Sequence, residues 1–365
     1  MVRTIIGSLF LSLTALAPLS QGAWAQVQVV TSFSILGDLA EQIGGEAIAV
    51  TTIVGPDQDA HVYSPTAADA RAVATADLLI LNGLGFETWA ADLVVGSGTR
   101  APIVTVANNL PLVLHGPEDE ATHEDHRDED KRDDHEDHED HDGHDEHDDH
   151  KADDHDEHKD HDDHDDHEDH KAHEENTFDA HAHAHDHGET DPHAWGAMAN
   201  GIAYAAAIRD ALVAFDPANG ATYEGNFAAF EAEALTAKTT YAARIAALPA
   251  DHRTVVTSHD AFGYFAEETG LAFLAVKGVN SASAASAGQV RDLIEQLRAL
   301  PHAAIFVENI HNPALVQQIA DETSFMLNEQ ALYSDALSAP DGPAATYLDW
   351  YSYNMETILT ALESH

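Results

Sequence analysis

Between His115 and His187 the chain carries almost nothing from which a hydrophobic core is built, and this stretch limits the possible folds more than any other. It holds 20 of the 27 histidines, and from Pro117 to Thr190 there are 35 acidic side chains against 6 basic ones. Acid–histidine pairs recur at Asp137-His138, Asp140-His141, Asp149-His150, Asp163-His164, Asp166-His167 and Asp169-His170. No large apolar side chain stands between Leu114 and Phe178. A segment with no apolar surface to bury cannot offset the entropy of ordering its backbone, so residues 115–188 are predicted to be a disordered loop. Acidity alone would suit a plain solvated linker, but such a linker needs no histidine at nearly every third position. Neutral imidazoles beside carboxylates ligate divalent cations, and many weak sites in series make a low-affinity collector.

The fold must therefore come from the flanking residues. The whole chain has 365 residues and 44% hydrophobic content, enough for two modest domains. Its net charge of −49 leaves no basic stripe to neutralise phosphates, which excludes a generic nucleic-acid binder. Cysteine is absent, so any metal must be held by histidine and carboxylate. At the N-terminus, Arg3, an apolar run from Ile5 to Leu19, and Ala23-Trp24-Ala25 before Gln26 read as a signal peptide over residues 1–25. The run is too short to span a bilayer, so the mature protein is expected to be exported, to the periplasm in a Gram-negative cell.

Along the remainder, short apolar strands alternate with amphipathic helices. Strands are predicted at Val27–Thr31, Ala47–Val54, Leu78–Leu81 and Ile103–Val106, with helices at Ser34–Ile43, Thr66–Ala76 (capped by Thr66) and Phe86–Val95. After the tract come a helix over Trp195–Phe215 and a longer one on which Phe227, Ala234, Tyr241 and Leu248 recur every seven residues. The alternation then restarts. Strands are predicted at Thr254–Thr257, Ala272–Val276, Ala304–Val307 and Phe325–Leu327, with helices between them and a closing helix over Tyr347–Leu362. Such a pattern implies an α/β fold with parallel sheets and ligands at their carboxyl edges. The expected organisation is an N-terminal lobe over 26–215, a linker helix over 216–249 and a C-terminal lobe over 250–365.

Three histidines outside the tract lie in loops: His61, His193 and His259. His61 and His259 follow strand ends, and Asp335 occupies a comparable place in the second half. Three imidazoles and a carboxylate make an N3O set that suits zinc better than magnesium or calcium. His252, His302, His311 and His365 read as surface or capping residues, although His311 also sits past a strand end, where it could line a cleft. Asp191, Asp260 and Glu308 are candidates to orient the imidazoles.

Gly55-Pro56-Asp57-Gln58-Asp59-Ala60-His61-Val62-Tyr63, Asp191-Pro192-His193-Ala194-Trp195, Thr257-Ser258-His259-Asp260-Ala261-Phe262 and Tyr333-Ser334-Asp335-Ala336-Leu337 resemble segments of one family. This is the zinc/manganese (cluster A-I) family of metal-binding solute-binding proteins of bacterial ABC importers. The resemblance implies two (β/α) lobes bridged by a long rigid helix, with one metal in the cleft between them. It also implies His61 and His193 as ligands from the first lobe and His259 and Asp335 from the second. Histidine at 259 points to the zinc branch, while the Tyr-Ser-Asp-Ala-Leu ending is more like the manganese side. The implied function is capture of Zn²⁺ and its delivery by a monomer to an inner-membrane ABC permease, with a metallochaperone as a further candidate partner. A manganese importer component, an exported metal buffer or adhesin, and an exported zinc hydrolase are the competing readings.

Overall fold

The computed structural model describes residues 26–114, 190–278 and 285–364. The expected signal peptide, the tract from His115 to His187 and His365 lie outside the described residues. All described residues belong to one compact unit.

The first sheet is built on β1 (Val27–Phe33), whose side chains are buried on both faces at all but one position. This is the signature of a central parallel strand covered by helices on both sides. With no intervening loop, α1 (Ser34–Gly44) follows, burying Leu36, Leu39, Ala40 and Ile43 at i, i+3, i+4, i+7 spacing. β2 (Ile48–Val54), α2 (Ala67–Ala74), β3 (Leu78–Leu81), α3 (Ala90–Ser97) and β4 (Ile103–Thr105) complete the lobe. The strand order is β2-β1-β3-β4, all parallel. Thr66 caps α2 in a reciprocal capping box with Asp69. α3 starts at Ala90 rather than at Phe86, and the reason is local. Gly83, Leu84 and Gly85 all have positive φ, and the Glu87 carboxylate accepts the backbone N–H groups of Asn82 and Gly83. The Ala90 N–H donates to Glu87 O at 3.0 Å, so a turn occupies the start of the expected helix.

α4 (Met198–Phe215) begins after a 3₁₀ turn over Ala194–Gly196, and α5 (Gly220–Ala247) follows. The 28 residues of α5 span about 42 Å at the helical rise. The second sheet has the parallel order β6-β5-β7, from β5 (Thr254–His259), β6 (Ala272–Lys277) and β7 (Ala304–Ile305). Its helices are α6 (Gly263–Thr269), α7 (Ala287–Arg298) and α8 (Ala314–Glu322). The strand expected at Phe325–Leu327 is reduced to a single bridge between Leu327 and Ile305.

α9 (Tyr347–Glu363) packs against α1 and α5 as well as against β7. The cores follow the strand pleat rather than the chain order. On β5, Val255 joins the large core that runs from the first sheet through α4, α5 and α9. Its neighbour Val256 joins a smaller core with Val290, Leu293, Ile294, Val316 and Ile319. Successive strand residues point to opposite faces, so adjacent valines serve different cores. A Cβ at Gly201 on α4 would collide with Tyr347 Oη, so glycine there permits the close approach of α4 and α9.

Candidate metal centre

Each predicted ligand is placed by a local structure that leaves its chemistry little freedom. The loop after β2 turns at Asp57, a non-glycine residue with φ of 55°. Asp59 Oδ1 accepts the His61 backbone N–H at 2.9 Å, and Trp89 Nε1 donates to Ala60 O at 2.9 Å. The His61 ring stands edge-on against Phe86, 4.7 Å between centroids.

His193 is fixed by Asp191, whose Oδ1 accepts both the backbone N–H (2.9 Å) and ring Nδ1 (2.8 Å). A carboxylate partner makes Nδ1 the donor, which leaves the Nε2 lone pair for the centre. The loop itself is held from behind. Asn82 Nδ2 donates to Pro192 O at 3.0 Å, and Tyr204 Oη donates to Asn82 Oδ1 at 2.6 Å. Glu87 accepts from Ser32 Oγ and from the Asn82 and Gly83 N–H groups, all close to the sheet edge.

His259 is the last residue of β5. Its Nδ1 lies 2.6 Å from Glu308 Oε2. Glu308 Oε1 accepts from Ser258 N (2.8 Å), Ser258 Oγ (2.7 Å) and His259 N (3.0 Å). Asp335 lies in the loop that precedes α9. Trp195 Nε1 donates to Ser334 O at 3.2 Å, and Leu337 N donates to Ser34 Oγ at 3.0 Å.

The two halves meet through Asp57. Its N–H donates to Leu337 O at 2.9 Å, and its carboxylate accepts from Asn309 Nδ2 (3.0 Å) and Ala339 N (3.2 Å). The loop bearing His61 is thereby tied to the loops bearing Glu308 and Asp335.

Four side chains distant in sequence consequently converge. His61 Nε2 lies 3.2 Å from His193 Nε2 and 3.4 Å from Asp335 Oδ2. Asp335 Oδ1 lies 3.5 Å from His193 Nε2, and Oδ2 lies 3.2 Å from His259 Nε2. One ligand atom from each of the four falls within 4.8 Å of all the others. His193, His259 and Asp335 are fully buried, and the His61 side chain is 5% exposed. Burial by itself would keep His259, Glu308 and Asp335 neutral, but their mutual attraction overcomes it. The Glu308 and Asp335 carboxylates hold His259 well above the usual imidazole range. Asp335 is held well below the carboxylate range by His259 and His193, and Glu308 is brought down to about 2 by His259.

Of the expected orienting residues, Asp191 hydrogen-bonds the His193 ring and Glu308 Oε2 lies at ion-pair distance from the His259 ring. Asp260 bonds to no ligand ring, and burial and the nearby Asp191 carboxylate raise its own carboxyl. Ser258, Asn82 and Glu87 were not singled out from sequence, since nothing in their spacing marks a role that exists only across the fold. His252 and His302 precede β5 and β7 and stack on one another, 3.5 Å between centroids, at the opposite end of the sheet from His259.

The family described as "ZnuA: Zinc-uptake complex component A periplasmic" matches residues 29–361. A manganese-binding lipoprotein, MntA, of Halalkalibacterium halodurans is 26% identical over 336 residues, 92% of this chain and 88% of that protein. The Mn-bound periplasmic metal binding protein of Candidatus Liberibacter asiaticus superposes with a TM-score of 0.67 at 26% identity, covering 92% of this chain and 98% of that one. The periplasmic zinc binding protein TroA of Treponema pallidum shares the fold, with a TM-score of 0.70 at 22% identity over 93% of this chain and 99% of that one.

Proposed function

We propose that this chain, which belongs to the ZnuA family of metal-binding components of bacterial ABC importers, carries Zn²⁺ held by His61, His193, His259 and Asp335. As such a component it is a carrier of a divalent metal and not an enzyme. The observation that supports zinc is the ligand set and its spacing. A tetrahedron with bonds of about 2.0–2.1 Å has edges of about 3.3–3.4 Å. The separation of 3.2 Å between His61 and His193 and those of 3.2–3.5 Å from each imidazole to an Asp335 oxygen are close to that figure, and one atom of each side chain lies within 4.8 Å of the others. Three nitrogens and one oxygen also suit a borderline cation better than a hard one, and zinc outranks manganese in the general affinity order.

One observation favours a second reading, manganese. Asp335 turns both oxygens inward, Oδ1 toward His193 and Oδ2 toward His61 and His259, so it can ligate through both and raise the coordination number. MntA and the Liberibacter protein, named for manganese or holding it, are the relatives that support this reading.

The rest of the reading rests on sequence. Residues 1–25 direct export to the periplasm and are removed, and the chain acts as a monomer, with a metallochaperone as a further candidate partner. Residues 115–188 collect zinc weakly, and the ion passes from the protein to an inner-membrane permease. Metal analysis by mass spectrometry of protein purified without added metal, followed by Zn²⁺/Mn²⁺ competition, is the test. Zinc is expected to co-purify and to resist displacement, and displacement by manganese at comparable concentration would overturn the assignment.

A further inference from the structure

His311 is a second-half histidine that the four-residue centre does not use. It closes the turn after β7, its N–H donating to Glu308 O at 3.1 Å. Its side chain is 8% exposed, yet neither Nδ1 nor Nε2 has a hydrogen-bond partner. A buried imidazole with both nitrogens unpartnered is costly unless something else satisfies it. Its ring lies against that of His259, 4.4 Å between centroids and inclined by 39°, and its Nδ1 is 3.6 Å from Glu308 Oε2. Glu308 takes its three hydrogen bonds on Oε1, which leaves Oε2 facing the two rings, 2.6 Å from His259 Nδ1. His259, Glu308 and His311 offer ligand atoms within 4.8 Å of one another.

We propose that His311, Glu308 and Nδ1 of His259 form a second, transient position for the divalent cation, adjoining the tight centre, through which the ion passes between solvent and the buried ligands. The proposal rests on the reading of the four-residue centre as the binding site. Two imidazoles and a carboxylate suit the same borderline cation, and three ligands hold it less firmly than four. The place in the fold fits a passage. Asn312 and Pro313, beside His311, are exposed, whereas His259 and Asp335 are fully buried. A neutral imidazole has one free lone pair, so His259 serves either position but not both at once. The core therefore holds one ion at a time. A way station lowers the barrier in both directions and leaves the free energies of the end states unchanged.

The test is stopped-flow tryptophan fluorescence of the full-length protein, with Zn²⁺ alone as the probe. The Trp195 ring lies 5.3 Å from that of His193, and the tract contains no tryptophan, so the signal reports on the core. His311→Gln removes the imidazole. His311→Phe keeps a ring against His259 but has no lone pair to give. Both variants are expected to slow association and dissociation by the same factor, with affinity unchanged. Lower affinity at an unaltered association rate would show His311 to be a prop for His259 and would overturn the proposal. Wild-type rates in both variants would do the same. A His61→Ala variant run alongside separates the two levels: unaltered affinity there would remove the four-residue centre itself, whereas wild-type rates in the His311 variants would remove only the way station.

Discussion

At the scale of the residue, the chemistry turns on His259. Its neighbours Glu308 and Asp335 favour the protonated ring, but a metal needs the neutral one. The sign follows directly. His259 is raised above its ordinary value, so protons compete with Zn²⁺ there over a higher pH range than at an ordinary imidazole. Apparent affinity should rise with pH until the raised value is passed. Calorimetry at pH 7 in buffers of different ionisation enthalpy should detect a released proton, and a buffer-independent heat would contradict the assignment. Glu308→Gln removes the anion that orients the ring. It should weaken zinc by roughly 10–100-fold and move the pH dependence to lower pH, as seen in competition titrations at several pH values. Substituting His61, His193 or His259 by Ala should cost a few kcal/mol each, since a full ligand set is worth about 10–16 kcal/mol. Wild-type affinity in all three would falsify the ligand assignment. In the sequence His61, His193, His259 and Asp335 stood out only as loop residues of ligand type, and the family resemblance joined them into one proposed set. Ser258, Asn82 and the inward face of His311 did not stand out, because their partners are set by packing.

At the scale of the element, α1 and α9 show how the frame is held and how it responds to acid. Asp38 on α1 accepts the Tyr347 N–H at 2.7 Å, at the start of α9, and also bonds to Gln42. Burial is the chief cause that pushes its carboxyl up to about 6, against an ordinary 3.8. A carboxyl raised on folding is no burden where both states are protonated. Between about pH 4 and pH 6 the unfolded chain ionises first, so the cost grows with pH and is complete above about 6. The full cost is about 3 kcal/mol. Asp38→Asn removes the ionisable group, so its stability relative to wild type should improve by up to that amount from pH 4 to pH 7. Urea unfolding of the metal-free proteins at both pH values measures this, and a pH-independent difference would count against it. The helix contact itself had no sequence signal. The closing helix shows its apolar face in the sequence, but nothing local says that the face meets α1 and α5.

At the scale of the whole molecule, the fold brings the two ends of the tract together beside the centre. Asp191 N donates to Leu114 O at 3.2 Å, and Tyr264 Oη bonds to both Leu114 N (3.0 Å) and Asp191 O (3.1 Å). Asp191 is also the carboxylate that orients His193. Because the stretch leaves and returns at one hydrogen-bonded point, removing residues 115–187 should disturb neither the frame nor the tight centre. It should lower the number of zinc ions bound. Carboxylates beside the tract's imidazoles favour their protonated form, so that weak binding should fade as the pH falls toward about 6. Calorimetry of the full and shortened chains at about pH 7.5 and about pH 6 decides the matter. Equal stoichiometry at the higher pH would leave the tract no part in binding.

The sequence by itself determined the order of the elements, the parallel α/β class and the four segments that bear the proposed ligands. These are short-range properties, written in the periodicity of apolar residues and the chemistry of individual loops. Only the tertiary structure decided which groups meet. The proposed ligands are spread from position 61 to position 335, and their convergence depends on sheet register, on the clasp at Asp57 and on α9 returning to α1. The pairings of Asp191 with His193, of Glu308 with His259, and of His311 with His259 arise the same way. A contact between distant segments is a property of packing, and no local pattern encodes it.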